Sequence, residues 1–394
     1  MKPMKKILGL LLALCLIAGC TSAFAAGIPV EQVKIGYITI GDENEGYSAN
    51  HLNGLKEAQA ALGISDDQVL CKYNVPETED AYEAAIDLAE QGCNIIFATS
   101  FGHESYVFQA AAEYPNIQFC QATGNSAMNS ELTNVHNYFY AVYESRYVSG
   151  VVAGMKLAQM IEDGTITAEN AKIGYVGAFP FAEVISGFTS FFLGARSQCP
   201  SVTMEVRYTN SWGDMALEKE TAEALIADGC VLISQHADTT GAPSACEAAG
   251  VPCVGYNISM LPVAPNTALT SAAGDWGAYV TYAVKCLIDG EEIARDWCKG
   301  YSEGAVYTTE LNDSIVAPGT AEKVAELEEA FKAGTVKVFD TSAFTVNGET
   351  LTSYTTAYGL EGIEMVSDGE FHESSVRSAP YFDILIDGIT AVVE

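Results

Sequence analysis

The chain has 394 residues, with Lys+Arg 19 against Asp+Glu 51 and a formal net charge of −32. A hydrophobic fraction of 49% with 18% charged residues supports a large buried core in two to three domains, and excludes a disordered or collagen-like chain. So acidic a balance repels phosphate backbones and anionic lipid, which excludes nucleic acid as a partner but permits a small ligand in a cleft.

Met1 to Cys20 reads as a processing segment. Lys2, Lys5 and Lys6 form a positive start, and the apolar run from Ile7 to Gly19 is too short to span a bilayer as a mature helix. Its end, Leu16-Ile17-Ala18-Gly19-Cys20, resembles a bacterial lipoprotein cleavage signal, with Cys20 as the lipidated first residue. An ordinary secretory cut after Ala23-Phe24-Ala25 is the alternative. The lipoprotein reading is preferred because the apolar run stops at Cys20. It predicts a signal peptide over 1–19, a tether over 20–32 and a body held by its lipid on the extracytoplasmic face of the cell membrane. Leaving out Cys15 and Cys20, the cysteines are odd in number, with no C-x-x-C and no zinc spacing. They read as small buried hydrophobes, not as a disulfide framework or a metal site.

A βα rhythm follows. Strands are predicted at 33–40, 69–75, 94–98 and 117–120, with helices at 50–62, 80–91 and 103–113 between them. The rhythm restarts with a long helix at 143–162. Strands follow at 172–176, 202–208, 231–234 and 252–256, with helices at 184–197, 216–228, 244–249 and 279–289. Two such runs imply two doubly wound parallel-sheet lobes. The boundaries read as 33–141 plus 263–337 for lobe 1, 142–262 for lobe 2 and 338–394 for a C-terminal extension with a hairpin-like turn at Phe344 to Gly348.

In open parallel sheets ligands bind beyond the carboxyl ends of strands, so the cleft between two lobes is the expected site. The strand ends carry Asp42 and Tyr47, Ser100 and Phe101, Phe181, Trp212, Asp238, Asn257 and Trp276. Aromatic faces with a few polar groups suit a flat, hydrogen-bonding ligand such as a purine, or a sugar.

The same segments resemble the basic membrane protein family of ABC-transporter substrate-binding lipoproteins, which includes purine nucleoside receptors. The resemblance runs from about Val33 to about Gly300. Its motifs are Asn74-Val75-Pro76-Glu77, Ile96 to Gly102, Ala122-Thr123-Gly124, Phe179 to Ile185, Leu193-Gly194-Ala195-Arg196 and Gln235-His236-Ala237-Asp238. It implies a hinge-closing fold of the type I periplasmic-binding-protein kind, working as a monomer with a permease and an ATPase and needing no cofactor or metal. It further implies aromatic walls at Tyr47, Phe101 and Trp212 with Phe181 behind, and polar contacts at Asp42, Asp238 and Asn257. Two departures stand out. The first loop reads Asp42-Glu43-Asn44-Glu45-Gly46-Tyr47, where the family often has Asp-Gly-Gly-(Trp/Phe)-Asn. Asn257 replaces the family's late Asp, exchanging a hydroxyl acceptor for a donor.

Structural readings compete at several positions. Trp276 serves equally as ligand wall or hinge packing. Asp214 reads as a helix cap, and Asp238 reads as a cap or a ligand contact. His103 and His236 read as satisfied loop histidines. Tyr138, Tyr140, Tyr143 and Tyr147 read as packing where the chain first crosses between lobes. Enzyme signatures such as Gly-x-Ser-x-Gly, a Walker loop and His-Glu-x-x-His do not occur. The expected function is capture of a purine nucleoside or base and delivery to a permease. A ligand-sensing receptor, a sugar binder and a secreted nucleoside-cleaving enzyme are the alternatives.

Overall fold

A computed structural model describes residues 27–357 and 360–392; the expected signal segment and Cys20 with its expected lipid lie outside the described residues. The chain first runs β1 (Ile35–Ile38), α1 (Gly46–Leu62), β2 (Val69–Lys72), α2 (Glu79–Glu90), β3 (Ile95–Ala98), α3 (Glu104–Glu113), β4 (Gln118–Ala122) and β5 (Val135–Tyr140). It continues through α4 (Val142–Glu162), β6 (Lys172–Gly177), α5 (Ala182–Gln198), β7 (Thr203–Tyr208), α6 (Met215–Ala227), β8 (Leu232–His236), α7 (Gly241–Ala249), β9 (Cys253–Tyr256) and β10 (Ala268–Gly274). The last part holds α8 (Trp276–Asp289), β11 (Asp296–Lys299), β12 (Val306–Thr308), α9 (Thr320–Lys332), β13 (Val366–Ser367), β14 (Glu370–Phe371) and β15 (Ile389–Val392).

These strands build two large sheets, ordered β11-β5-β4-β3-β1-β2 and β12-β10-β9-β8-β6-β7-β15. All ladders in both are parallel apart from the antiparallel β10–β12 pair. Helical crossovers cover the faces, so the strands are buried on both sides and most read as continuous apolar runs. The chain is therefore a two-lobe α/β protein of the periplasmic-binding type.

The sheets divide the chain differently from the expected boundaries. β10 and β12, expected in lobe 1, hydrogen-bond into the second sheet. Only α8 and β11 return to the first, where β11 pairs with β5. The connections between lobes lie side by side: Ala141 N–H donates to Lys299 C=O at 2.8 Å, and Asp275 N–H to Ala305 C=O at 2.8 Å. The C-terminal extension is likewise not an appendage. β15 covers the β7 edge of the second sheet, which leaves that edge paired rather than open. Within the extension Phe339, Phe371 and Phe382 form a buried aromatic cluster. Its expected turn is present as an antiparallel bridge between Val346 and Glu349.

Helix starts follow their caps. α1 begins four residues before the expected position, because the Glu45 carboxylate accepts from Tyr47 N–H (2.5 Å) and Ser48 N–H (2.8 Å). Asp214 caps α6 in the same way, at 3.0 Å from both Ala216 N and Leu217 N. The described cysteines are unpaired, and most are buried in the core. No helix among the described residues is long and apolar enough to cross a membrane.

Candidate ligand cleft

The carboxyl ends of the two sheets face one another across a cleft. It is lined by Ile40, Tyr47, Ser100, Phe101 and Thr123 from lobe 1, and by Glu183, Trp212, His236, Asp238 and Tyr256 from lobe 2. It encloses about 420 Å³ of atom-free space, part of it open to solvent. A larger hollow of about 1530 Å³ lies outside the cleft beside Tyr282 and Trp297, but it is a more open depression. The cleft is where strand ends, aromatic rings and buried ionisable groups converge.

The two lobes already touch. Gly46 N–H donates to Asp238 C=O across the cleft at 3.2 Å. A Cβ on Gly46 would stand 2.8 Å from that carbonyl oxygen, so glycine is what permits the approach. Phe101 and Phe181 face each other at 6.4 Å between ring centres.

Lobe 1 contributes a self-contained wall. Tyr47, on the first turn of α1, donates its hydroxyl to Thr99 C=O at 2.5 Å. Ser100 Oγ donates to Glu77 at 2.6 Å, and Thr123 Oγ1 to Ala122 C=O at 2.7 Å. Thr123 holds φ 58, a strained conformation for a β-branched residue and one that collects at functional sites.

Lobe 2 contributes ionisable groups at the end of β8, the end of β9 and the start of α5. Burial pushes the Glu183 carboxyl up to about 7, partly offset by the Arg146 guanidinium. Asp238 is held well above the usual carboxylate range by burial and by the nearby acids Glu45, Glu218 and Glu183. Asn257 Nδ2 opposes that shift by donating to Asp238 Oδ1 at 2.9 Å. Burial and Arg146 depress His236 well below its ordinary range, so its ring is neutral. The ring is fully buried, and neither nitrogen has a hydrogen-bond partner among the described residues. Its Nε2 stands 3.5 Å from Glu183 Oε1. Arg146 lies behind, its guanidinium 3.7 Å over the Tyr256 ring and its Nη1 on Gln235 C=O at 2.7 Å.

Of the residues expected at the site, Tyr47, Ser100, Phe101, Trp212 and Asp238 line the cleft together. Phe181, 46% exposed, sits at the rim, stacked on Phe179 at 5.1 Å and 6.3 Å from Trp212. Three residues stand elsewhere. Asp42 closes a turn, accepting from Asn44 N–H and Nδ2 at 2.9 Å each. Asn257 is fully buried behind Asp238 in a left-handed conformation, φ 65, that Asn tolerates. Trp276 is 1% exposed and stacked on His51 at 3.9 Å within the core, behind Tyr47. Asp238 caps no helix; α7 starts after Thr240.

The two histidines part company. His103 is satisfied, by Ser100 N–H and Val75 C=O. His236 is not, which corrects the reading of it as a satisfied loop residue. Ile40, Thr123, Glu183, His236 and Tyr256 are the lining residues that sequence reasoning did not select. Each lies within two residues of a strand end or in the first turn of a helix, which is the signal that could have found them. Among the described residues no cluster of His, Cys, Asp or Glu could hold a metal ion.

Comparison with known proteins shows the family and the fold. The family described as "ABC transporter substrate-binding protein PnrA-like" matches residues 38–338. A purine-binding protein of Brucella abortus is 33% identical over 78% of this chain and 83% of its own. A Haloferax volcanii protein named as an ABC transporter glucose-binding protein, TsgA13, is 29% identical over 85% of this chain and 81% of its own. In fold, the chain is similar to an ABC transporter solute-binding protein of Aeropyrum pernix, with a TM-score of 0.64 at 18% identity, covering 78% of this chain and 93% of that one.

Proposed function

The chain belongs to the PnrA-like family of ABC transporter substrate-binding proteins, and from that membership we propose that it captures a purine base or nucleoside in the cleft and hands it to a membrane permease. Proteins of this family are extracytoplasmic and bind a ligand without transforming it. The purine reading rests chiefly on one observation. Aromatic rings from both lobes, Phe101, Tyr47 and Trp212, flank a space whose lobe 2 side carries the buried His236 ring, both of its nitrogens without partners among the described residues. Rings hold a flat heterocycle by stacking, and the polar groups at its edge select it. The purine-binding relative supports the same ligand class.

The charge pattern refines the ligand. Helix amino termini ordinarily favour phosphate, but here their positive ends are occupied by the chain's own acids: Glu45 and Asp214 as caps, Glu183 in the first turn of α5. A phosphorylated ligand would meet Glu183 and Asp238 in a buried setting. The ligand is therefore an unphosphorylated purine.

Thermal-shift measurements against purine bases, nucleosides, nucleotides and sugars test this, since a ligand of the native state raises the melting point. A rise with purines and none with nucleotides or glucose is expected. A rise with glucose alone would move the assignment to the sugar class that the Haloferax relative's name suggests. Lipidation at Cys20 belongs to the same proposal. Cys20→Ala is expected to release the protein from the membrane fraction, and retention there would remove the anchor.

A further inference from the structure

The neutral His236 ring and the neighbouring Glu183 carboxyl form a donor–acceptor pair with nothing assigned to it. Both line the cleft; His236 is fully buried, and its ring nitrogens have no partner among the described residues. The ring has its place because residue 187 is glycine: a Cβ there would stand 2.5 Å from His236 Nδ1. The same Cβ would lie 3.7 Å from Arg146 Nε, so the guanidinium and Nδ1 share one side of the ring. A cation beside Nδ1 favours a lone pair there and leaves the proton on Nε2, the nitrogen turned to Glu183 at 3.5 Å. That tautomer gives the cleft an N–H donor beside the Glu183 carboxyl.

Resting on the purine reading above, the geometry points to recognition of a lactam edge. Glu183 accepts the ring N–H of a 6-oxopurine while His236 Nε2–H donates to the adjacent carbonyl oxygen. A 6-aminopurine offers the reverse pattern on that edge, a bare ring nitrogen and an amino donor. It would place the lone pair against a carboxylate and the amino group against an N–H. Glu183 and His236 are then the specificity-determining residues of the site. The groups facing Glu183 are Arg146 of α4, Tyr47 of α1, Tyr140 of β5, His236 at the end of β8, Asp238 just beyond it and Tyr256 of β9. Arg146 alone among them is cationic, so above about pH 7 the ionised carboxylate favours the lactam.

Calorimetric titration at about pH 8 tests the assignment. Inosine or hypoxanthine is expected to bind at least about tenfold more tightly than adenosine or adenine, because a buried acceptor rejects an analogue lacking its donor. 1-Methylinosine, with the ring N–H blocked, is expected to lose at least about tenfold against inosine. In Glu183→Gln, whose amide turns either way, the oxo-to-amino ratio should shrink to about threefold while purines still bind. Equal affinity for oxo and amino purines, a preference for amino, unimpaired 1-methylinosine or an unchanged ratio in Glu183→Gln would overturn the lactam assignment and leave the purine reading standing. Failure of every purine to bind would overturn both. The 1-methylinosine comparison uses the unaltered protein, so it decides even if the variant folds poorly.

Discussion

The two walls of the cleft are built on opposite plans. In lobe 1, Tyr47, Ser100 and Thr123 turn their hydroxyls onto their own backbone or onto Glu77, so what faces the cleft is a closed, largely neutral surface with Phe101 and Ile40. In lobe 2, His236 has no partner for either nitrogen, and Asp238 receives one donor from Asn257. An internally satisfied wall supplies shape and a stacking face. A wall with buried, unsatisfied groups gains most from a ligand that completes them. We infer that lobe 2 carries the selective polar contacts, while each wall supplies a stacking ring, Phe101 from lobe 1 and Trp212 from lobe 2.

Substitutions can break or sharpen this contrast. The largest effect is expected on stability. Folded Glu183 titrates near 7 rather than 4.5, so its ionisation opposes folding; the penalty is absent below about pH 4.5 and complete above about 7. Glu183→Gln should therefore stabilise the ligand-free protein at about pH 8, by up to about 3 kcal/mol, and lose that advantage at about pH 5. Thermal melts at the two pH values check it, and an equal difference at both would mean the carboxyl is not buried as described. On affinity, Trp212→Ala should weaken purine binding by about 30-fold through lost stacking, with the fold intact by circular dichroism. Asp238→Asn should cost roughly tenfold, because it replaces a carboxyl aimed into the cleft and leaves Asn257 Nδ2 facing an amide. Gly46→Ala, by crowding the Asp238 carbonyl, should weaken binding several-fold, about fivefold, and slow closure in stopped-flow fluorescence. Ser100→Ala should change affinity by less than about twofold, since its hydroxyl is already bonded to Glu77. A loss at Ser100 matching that at Asp238 would dissolve the contrast between the walls.

The architecture was legible because βα periodicity and strand-end chemistry are local signals. The exceptions are instructive. β5, Val-His-Asn-Tyr-Phe-Tyr, is buried along its whole length and shows no alternation. β10, Ala-Leu-Thr-Ser-Ala-Ala-Gly, is made of small residues with weak strand preference, and missing it misplaced the lobe boundary. Trp212 and Tyr47 were expected at the cleft because an aromatic in a polar strand-end segment is unusual, and both line it. Trp276 carries the same signature, between Gly274 and Gly277, yet packs on His51 in the core; only tertiary contacts separate the cases. Asp42 sat in the expected loop, but neighbouring asparagines bind its carboxylate. Glu183 was passed over and His236 read as satisfied because the features that single them out, a carboxyl raised by burial and ring nitrogens without partners, are properties of the folded chain.

The most direct test is a crystal structure of the protein with a purine bound. The base plane is expected against Trp212, with Phe101 on the lobe 1 side, and its hydrogen-bonding edge turned to Glu183, His236 and Asp238. A purine whose edge faces Ser100 and Thr123, or one seated outside the cleft beside Trp297, would contradict the division of roles between the two walls.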